Sequence, residues 1–141
     1  MPTRRASAVW EGGIKGKASV KTESGALDAA YSFGSRFEGG KGTNPEELLA
    51  AAEAACFAMA LSLGLERAGT PATRVEASAA CTIDKVPDGF KITTMKLTVR
   101  ATVPGIAADA FQTIAQATKD GCPVSSAIKG NVKIELDATL S

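Results

Sequence analysis

The stretch NPEELLAAAEAACFAMALSLGLERAG, residues 44–69, decides the fold because its boundary signals predict one long helix. Asn44 suits an N-cap, Pro45 suits the first helical position, and Glu47 stands where a reciprocal capping carboxylate belongs. Gly69 is a good helix stop, and a proline follows just beyond it. The fold must therefore be arranged around this helix.

The apolar part of the helix, Leu48–Leu65, raises the question of a membrane span. A span needs about 20 strongly apolar residues. This stretch is dominated by alanine and contains Glu53. We therefore predict a helix buried nearly all round inside a soluble protein. Its small side chains would let another backbone approach closely, and a helix from a second subunit is a reasonable neighbour.

The segment before the helix contains three short strand-like runs separated by glycines. The runs are Ala8–Glu11, Ala18–Lys21 and Tyr31–Phe33. Glycine clusters between short strands favour tight antiparallel connections. A flexible turn, Glu38–Gly42, then leads into the helix.

The segment after the helix predicts two long strands, at residues 73–84 and 90–103. Pro87–Gly89 supplies the turn between them. Most of the second strand alternates between apolar and polar residues, with a slip near Thr93 and Thr94 that indicates a bulge.

The remaining sequence predicts two helices and a closing strand. The first helix covers about residues 107–119. Its apolar face comprises Ala110, Phe111, Ile114, Ala115 and Thr118. A short helix begins at Cys122 and ends near Gly130, and Val132–Leu136 alternates as a strand. The order of elements predicts an α+β fold with mainly antiparallel pairing, in a single domain of residues 1–141.

Composition narrows the classes of function. The net charge is +1, with acids and bases mixed along the chain, which gives no support for nucleic-acid binding or a polybasic membrane patch. The chain has no histidine, so an imidazole cannot activate a thiol and zinc sites that need a histidine ligand are excluded. Three cysteines make neither a secreted disulfide framework nor a four-thiolate metal site. We expect thiolate redox chemistry rather than acyl transfer, and a cytoplasmic location.

The three cysteines lie in different settings. Cys56 lies inside the apolar helix, where a small core residue is the ordinary interpretation. Cys122 lies at a Gly-Cys-Pro break, where an N-cap sulfur would face free backbone N–H groups that favour a thiolate. A plain cap-and-turn position explains Cys122 equally well. Cys81 lies in mid-strand with no basic neighbour in sequence and is interpreted as structural. Local sequence alone therefore nominates Cys122 as the reactive thiol.

A wider pattern reverses that choice. The segments Arg36–Gly39, Gly42–Leu48, Ala54–Leu61 and Gly121–Ser125, in this order, closely resemble the OsmC/Ohr family of osmotically inducible protein C and organic hydroperoxide resistance proteins. Four more segments favour the OsmC branch, namely Trp10–Gly12, Thr22–Gly25, Ile83–Val86 and Val103–Ile106. The resemblance covers essentially the whole chain.

The resemblance implies an OsmC-like fold with antiparallel sheets around a long buried central helix, in an intertwined homodimer. It also implies a thiol-dependent peroxidase that reduces hydroperoxides, preferring organic ones to hydrogen peroxide, without metal, haem or flavin. By motif, Cys56 is the peroxidatic thiol, Cys122 is the resolving thiol, and Arg36 and Glu46 are the paired charged residues. Cys81 has no counterpart in the family pattern. A lipoyl-type dithiol is the implied reductant.

The implied roles are chemically consistent. A thiolate attacks the terminal peroxide oxygen, expels an alcohol and becomes a sulfenic acid, with which Cys122 condenses to a disulfide. Arg36 can supply the cation that a buried thiolate needs, and Glu46 can hold the guanidinium by a bidentate pair. The simpler interpretation of this pair is an ordinary surface salt bridge. A different class of function is a stress-related dimer that binds a lipophilic ligand and has incidental thiols.

The spacing of Glu46 and Cys56 sets a geometric problem. They are ten positions apart, which is about 15 Å along a straight helix. Both cannot touch one peroxide from the same continuous helix. Either the helix breaks, or an antiparallel partner helix brings the partner subunit's Glu46 to Cys56. The alanine-rich face and a two-fold axis favour the dimer.

Overall fold

Six strands form two separate three-stranded sheets, one from the strands before the long helix and one from the strands after it. The structure, a computed structural model, describes every residue from Met1 to Ser141. Its contacts divide the chain into two units, residues 1–48 and 49–141, and the division falls inside the long helix. The mixture of helices and sheets confirms the predicted α+β class.

The sheet of the first unit is a three-stranded antiparallel meander. Its strands are β1 (Ala6–Glu11), β2 (Lys17–Thr22) and β3 (Asp28–Tyr31), in that order across the sheet. The β1–β2 turn depends on Gly16, because a Cβ atom at that position would lie 2.0 Å from the carbonyl oxygen at the end of β1. The glycine-separated runs of the sequence therefore predicted β1 and β2 correctly.

The predicted strand Tyr31–Phe33 is wrong beyond Tyr31. The chain turns there into a short helix, α1 (Phe33–Phe37). The Ser32 hydroxyl accepts a hydrogen bond from the Ser35 N–H at 3.0 Å, and the Ser35 hydroxyl accepts one from the Ser32 N–H at 2.8 Å. This pair of serines satisfies two backbone donors at a helix start, which outweighs the strand preference of the aromatic residues.

The long helix, α2 (Pro45–Arg67), has the predicted bounds. The Asn44 side-chain oxygen accepts a hydrogen bond from the Glu47 N–H at 2.8 Å, as an N-cap should. The Glu47 carboxylate does not complete the predicted reciprocal cap. It accepts a hydrogen bond from the Thr43 hydroxyl at 2.7 Å instead. Gly69, with a φ of +83°, ends the helix in the left-handed conformation that favours glycine.

The sheet of the second unit contains β4 (Arg74–Val86), β5 (Gly89–Thr102) and β6 (Lys133–Leu140), in that order. Strands β4 and β5 are antiparallel, and Thr93 is the extra residue of a bulge, which confirms the predicted slip. Strands β5 and β6 are parallel, and this pair is the exception to the mainly antiparallel pairing that the sequence predicted. The helices between them form the crossover that a parallel pair requires.

That crossover consists of α3 (Ala108–Gly121) and α4 (Pro123–Ile128). Both helices were predicted, with bounds that differ by one or two residues. Helix α3 buries Phe111, Ala115 and Thr118. Ala110, which was expected on the same face, is exposed because the buried stripe follows the spacing that Phe111 sets.

Helix α2 contributes one stripe of side chains to the core of the second unit. Phe57, Leu61 and Leu65 are fully buried, at a spacing of four residues. They pack with Leu97, Val99, Ala101, Val103, Phe111, Ala115 and Ala138. On another face Ala55 is exposed and Met59 is 78% exposed. The prediction of a helix buried nearly all round is therefore wrong for a single chain, because one stripe covers one side only.

Helix α2 is long enough and apolar enough to span a membrane, by length and composition alone. The core helices of soluble proteins meet the same two criteria.

Candidate active site

Cys56 and Cys122 meet, although 66 positions separate them in sequence. Their sulfur atoms lie 2.9 Å apart, and both residues are thiols. Cys56 lies in the middle of α2, one residue before the buried Phe57. Cys122 lies at the junction where α3 ends and α4 begins. The structure thus brings together the two thiols that the family resemblance pairs.

The two thiols differ in exposure. Cys122 is buried, with 1% of its surface exposed, whereas Cys56 is half-buried. Pro123, which follows Cys122, is the first residue of α4. The Cys122 N–H donates to the Thr118 carbonyl at 2.8 Å, which fixes the backbone at the junction. A reagent from solvent therefore reaches Cys56 before Cys122.

The expected N-cap role of the Cys122 sulfur is wrong. Cys122 is the N-cap residue of α4 by position, but its side chain makes no capping hydrogen bond. The sulfur lies against the Cys56 sulfur instead. Local sequence alone nominated Cys122 as the reactive thiol, and it could not show this contact because Cys56 is 66 positions away.

The surroundings of Cys56 favour its protonated form. Burial raises the pKa of the Cys56 thiol above its ordinary value, and the hydrogen bond with Cys122 raises it further. The backbone N–H of Val124 lowers the pKa, whereas the charges of Cys122 and Glu53 add to the rise. No cationic side chain contributes to this balance.

A buried carboxyl group that the sequence did not suggest as a site residue lies one helical turn before Cys56. Glu53 is fully buried, and its Oε1 atom accepts a hydrogen bond from the hydroxyl of Ser125, which is also fully buried. Its Oε2 atom is buried without a hydrogen-bond partner. One signal was present in the sequence, because Glu53 is the one charged residue between Leu48 and Leu65.

Arg36 and Glu46 form a second cluster, within the unit of residues 1–48. The guanidinium Nε atom lies 3.1 and 3.2 Å from the two carboxylate oxygens, and Nη2 donates to Oε1 at 2.6 Å. Glu46 is nearly buried, with its side chain 7% exposed, and the Arg36 side chain is 36% exposed. The Arg36 guanidinium also lies 5.2 Å from the centre of the Phe37 ring. The predicted bidentate pair is present.

Local hydrogen bonds fix the position of this ion pair. The Ser35 hydroxyl donates to the Thr43 carbonyl at 2.7 Å, and the Asn44 side chain donates to the Ser35 carbonyl at 3.1 Å. These bonds join α1, which carries Arg36, to the start of α2, which carries Glu46. The ion pair is therefore held by backbone positions rather than by two flexible side chains alone.

Cys81 lies on β4 and pairs in register with Met95 of β5. It is half-buried, and its structural role remains a prediction. No group of three or more histidine, cysteine, aspartate or glutamate side chains lies close enough together to hold a metal ion.

Relatives of the chain are found among named bacterial proteins. The sequence is 50% identical to "Peroxiredoxin OsmC" of Escherichia coli over 134 residues, which cover 94% of each chain. It is 35% identical to "Organic hydroperoxide resistance protein" of Xanthomonas axonopodis pv. citri over 135 residues, which cover 93% of this chain and 91% of that protein.

Comparison of structures leads to the same group. The crystal structure of the organic hydroperoxide resistance protein OhrB of Bacillus subtilis superposes with a TM-score of 0.78 at 29% sequence identity, and covers 97% of this chain and 98% of that one. The family model described as "OsmC-like protein" matches residues 38–137, a range that contains Glu46 and the two thiols that meet. The chain belongs to the family of OsmC-like proteins.

Proposed function

We propose that the chain is a cysteine-based peroxidase that reduces organic hydroperoxides to alcohols, with Cys56 as the peroxidatic thiol and Cys122 as the resolving thiol. The observation that supports this most directly is the 2.9 Å contact between a half-buried thiol and a buried one. The half-buried Cys56 is accessible to a substrate from solvent. The buried Cys122 is placed to react with the oxidised Cys56 rather than with the substrate. The names of the relatives support the same chemistry.

The reaction divides into two steps. The Cys56 thiolate attacks the terminal oxygen of the hydroperoxide, the O–O bond breaks, and the alkoxide leaves as an alcohol after taking up a proton. The Cys122 sulfur then attacks the Cys56 sulfenic acid, the S–O bond breaks, and hydroxide leaves as water with the proton of the Cys122 thiol. The resulting disulfide needs a dithiol reductant, and we expect a lipoyl-type dithiol.

Cys56 needs a cation, because burial and Cys122 raise its pKa. We assign this role to Arg36, held in place by Glu46. The guanidinium can stabilise the thiolate and can hydrogen-bond the leaving oxygen as negative charge develops on it. Three contacts within 3.2 Å between the guanidinium and the carboxylate support an oriented cation rather than a loose surface charge.

We further propose that Arg36 and Glu46 act on Cys56 across a homodimer. Helix α2 runs without interruption from Pro45 to Arg67, so the broken-helix alternative has no support. Ten residues of continuous helix separate Glu46 from Cys56 by about 15 Å along the axis. An antiparallel second copy of α2 would bring the opposite ends of two helices together. The exposed Ala55 and Met59 give such a copy an apolar surface to cover.

The experiment that tests the two thiol roles follows intact mass after one equivalent of cumene hydroperoxide. Cys56→Ser should consume no peroxide, because the first sulfenic acid cannot form. Cys122→Ser should consume about one equivalent per chain and then stop at the sulfenic acid or overoxidise. Cys81→Ser is the matched control and should behave as the parent. Normal turnover by Cys56→Ser would overturn the assignment, and a parent that consumes no peroxide would favour a lipophilic-ligand-binding dimer.

A mixed dimer tests the cross-subunit arrangement. Glu46→Gln and Cys56→Ser chains, each nearly inactive, are refolded together. If the site is shared, each heterodimer contains one site with both Glu46 and Cys56 intact, and activity returns. A verified heterodimer without activity would contradict the arrangement. We expect the assembled protein to be soluble and cytoplasmic.

A further inference from the structure

The helix that follows the resolving thiol has an unusual attachment. Helix α4 has six residues, and its one fully buried side chain is that of Ser125, which is polar. Val124 and Ile128 are half-buried and the remaining side chains are exposed. Ser125 donates its hydroxyl hydrogen to the Glu53 carboxyl group of α2. A polar contact therefore joins α4 to α2.

This contact has the same spacing as the contact between the two thiols. Glu53 precedes Cys56 by three residues on α2, and Ser125 follows Cys122 by three residues at the start of α4. Residues three apart on a helix face the same side. Two contacts therefore join the same two segments, Cys56 to Cys122 and Glu53 to Ser125, one helical turn apart.

Glu53 is a costly residue at this position. Burial of a carboxyl group is unfavourable unless hydrogen bonds compensate it, and here one of its two oxygens has no partner. Alanine, which fills the positions on either side of it, would carry no such cost. A residue that costs stability and touches the segment of the resolving thiol points to a role in function.

We propose that Glu53 and Ser125 form a positioning pair that holds Cys122 against Cys56 while Cys56 is a sulfenic acid, and so sets the rate of disulfide closure. The inference rests on the proposed function. In the closure step the Cys122 sulfur forms a bond to the Cys56 sulfur, the S–O bond breaks, and the oxygen leaves as water with the Cys122 thiol proton. The Glu53–Ser125 hydrogen bond contains neither sulfur atom, so the addition of oxygen to Cys56 leaves its two partners chemically unchanged. This bond keeps the two segments in register.

The decisive variant is the double substitution Glu53→Ala with Ser125→Ala. It removes both partners, so that no buried polar group is left unpaired and the chain can fold. We expect the Cys56 sulfenic acid to form at least as fast as in the parent, because the loss of Glu53 removes one of the smaller contributions that raise the pKa of Cys56. Closure of the disulfide should slow by about tenfold or more, because one hydrogen bond to a carboxyl group no longer restrains α4. Overoxidation of Cys56 to the sulfinic acid should rise in proportion.

Two further variants separate positioning from other roles. Glu53→Gln keeps an oxygen acceptor for the Ser125 hydroxyl and should close within about threefold of the parent. Ser126→Ala removes an exposed hydroxyl of the same helix, which donates to the Asp120 carbonyl at 3.3 Å, and should also close normally. Closure as slow in Glu53→Gln as in the double variant would overturn the proposal, because the carboxyl group itself would then be required.

Quenched-flow mixing with one equivalent of cumene hydroperoxide, followed by intact-mass analysis, resolves the two steps. The sulfenic acid gains one oxygen atom, and the disulfide loses two hydrogen atoms. Parental closure in the double variant would overturn the inference and leave the peroxidase assignment intact. A parent protein that forms no sulfenic acid on Cys56 would instead overturn the proposed function. Slowed closure, with sulfenic acid formation no slower than in the parent, is the result that supports the positioning pair.

Discussion

Glu46, at the start of α2, and Glu53, in its middle, are both buried carboxyl groups with opposite surroundings. Glu46 is 5% exposed and receives a guanidinium through both of its oxygens. Glu53 is completely buried and receives one hydroxyl, and its second oxygen has no partner. Glu46 is therefore paired with a cation, whereas Glu53, on the same helix, has one hydroxyl group as its hydrogen-bond partner.

The difference separates two uses of a buried carboxyl group. A bidentate ion pair orients the cation, so the function of Glu46 is to orient the Arg36 guanidinium. A carboxyl group without a cation orients the group that donates a hydrogen bond to it, so the function of Glu53 is to hold Ser125 in position. Glu53 also affects the pKa of the nearby Cys56 thiol. The pKa of Cys56 is raised chiefly by burial, and Glu53 adds to that rise.

Among substitutions of charged residues, Arg36→Met should have the largest effect on activity. It leaves Glu46 without its cation and removes the group that we assign to the leaving oxygen. We expect kcat/KM for cumene hydroperoxide to fall by about 100- to 1000-fold, the range for loss of one preorganised donor at a developing charge. Steady-state turnover with a dithiol reductant measures this. Arg36→Lys should recover part of the activity, because it keeps the charge but not the planar fork.

The pH dependence of Cys56 alkylation provides the control for Arg36→Met. Burial and Cys122 raise the pKa of the thiol, so without Arg36 the thiolate should form only above the ordinary cysteine pKa of about 8.5. The parental curve should lie at lower pH if the guanidinium is close. The exposed Arg74, paired with Glu76 at 3.0 Å, gives the matched variant Arg74→Met, which should leave the curve unchanged. Identical curves for Arg36→Met and the parent would make Arg36 a structural residue only.

The sequence predicted what depends on local pattern and on motif. The bounds of α2, the bulge at Thr93 and the Arg36–Glu46 pair all followed from short-range signals or from the family resemblance. Family membership and the α+β class were confirmed, and the assignment of catalytic roles to Cys56 and Cys122 remains a prediction.

The sequence missed what depends on contacts between distant segments. The partner of Glu53 lies 72 positions away, and nothing near Glu53 in sequence indicates a hydroxyl. The parallel pairing of β5 and β6 depends on the path of α3 and α4 rather than on alternation within a strand. The uncovered face of α2 was missed because an alanine-rich helix gives no amphipathic pattern from which to choose its buried side.

Substitutions at Ser125 and Glu46 should have smaller effects, and their free energies of unfolding test the surroundings of the two carboxyl groups directly. Ser125→Ala leaves the buried Glu53 carboxyl group without its hydrogen bond, and should lower the free energy of unfolding by about 1–3 kcal/mol. Glu46→Gln should cost less than about 1 kcal/mol, because the partly exposed Arg36 can still donate to the amide oxygen and can turn to solvent. Urea unfolding of the reduced proteins measures both values. An equal cost for the two variants would remove the distinction between the carboxyl groups.

The smallest effect is expected for Glu47, the exposed carboxylate next to Glu46. Glu47→Gln keeps an oxygen that accepts from the Thr43 hydroxyl, now at 2.7 Å, so stability should change by less than about 0.5 kcal/mol. Activity should be unchanged, because Glu47 does not contact the guanidinium. Both acids lie in the first turn of α2, where any negative charge interacts favourably with the helix dipole. If Glu47→Gln lowers kcat/KM as far as Glu46→Gln does, negative charge at the helix start is the important quantity. If only Glu46→Gln lowers it, the bidentate hold on Arg36 is what the site requires.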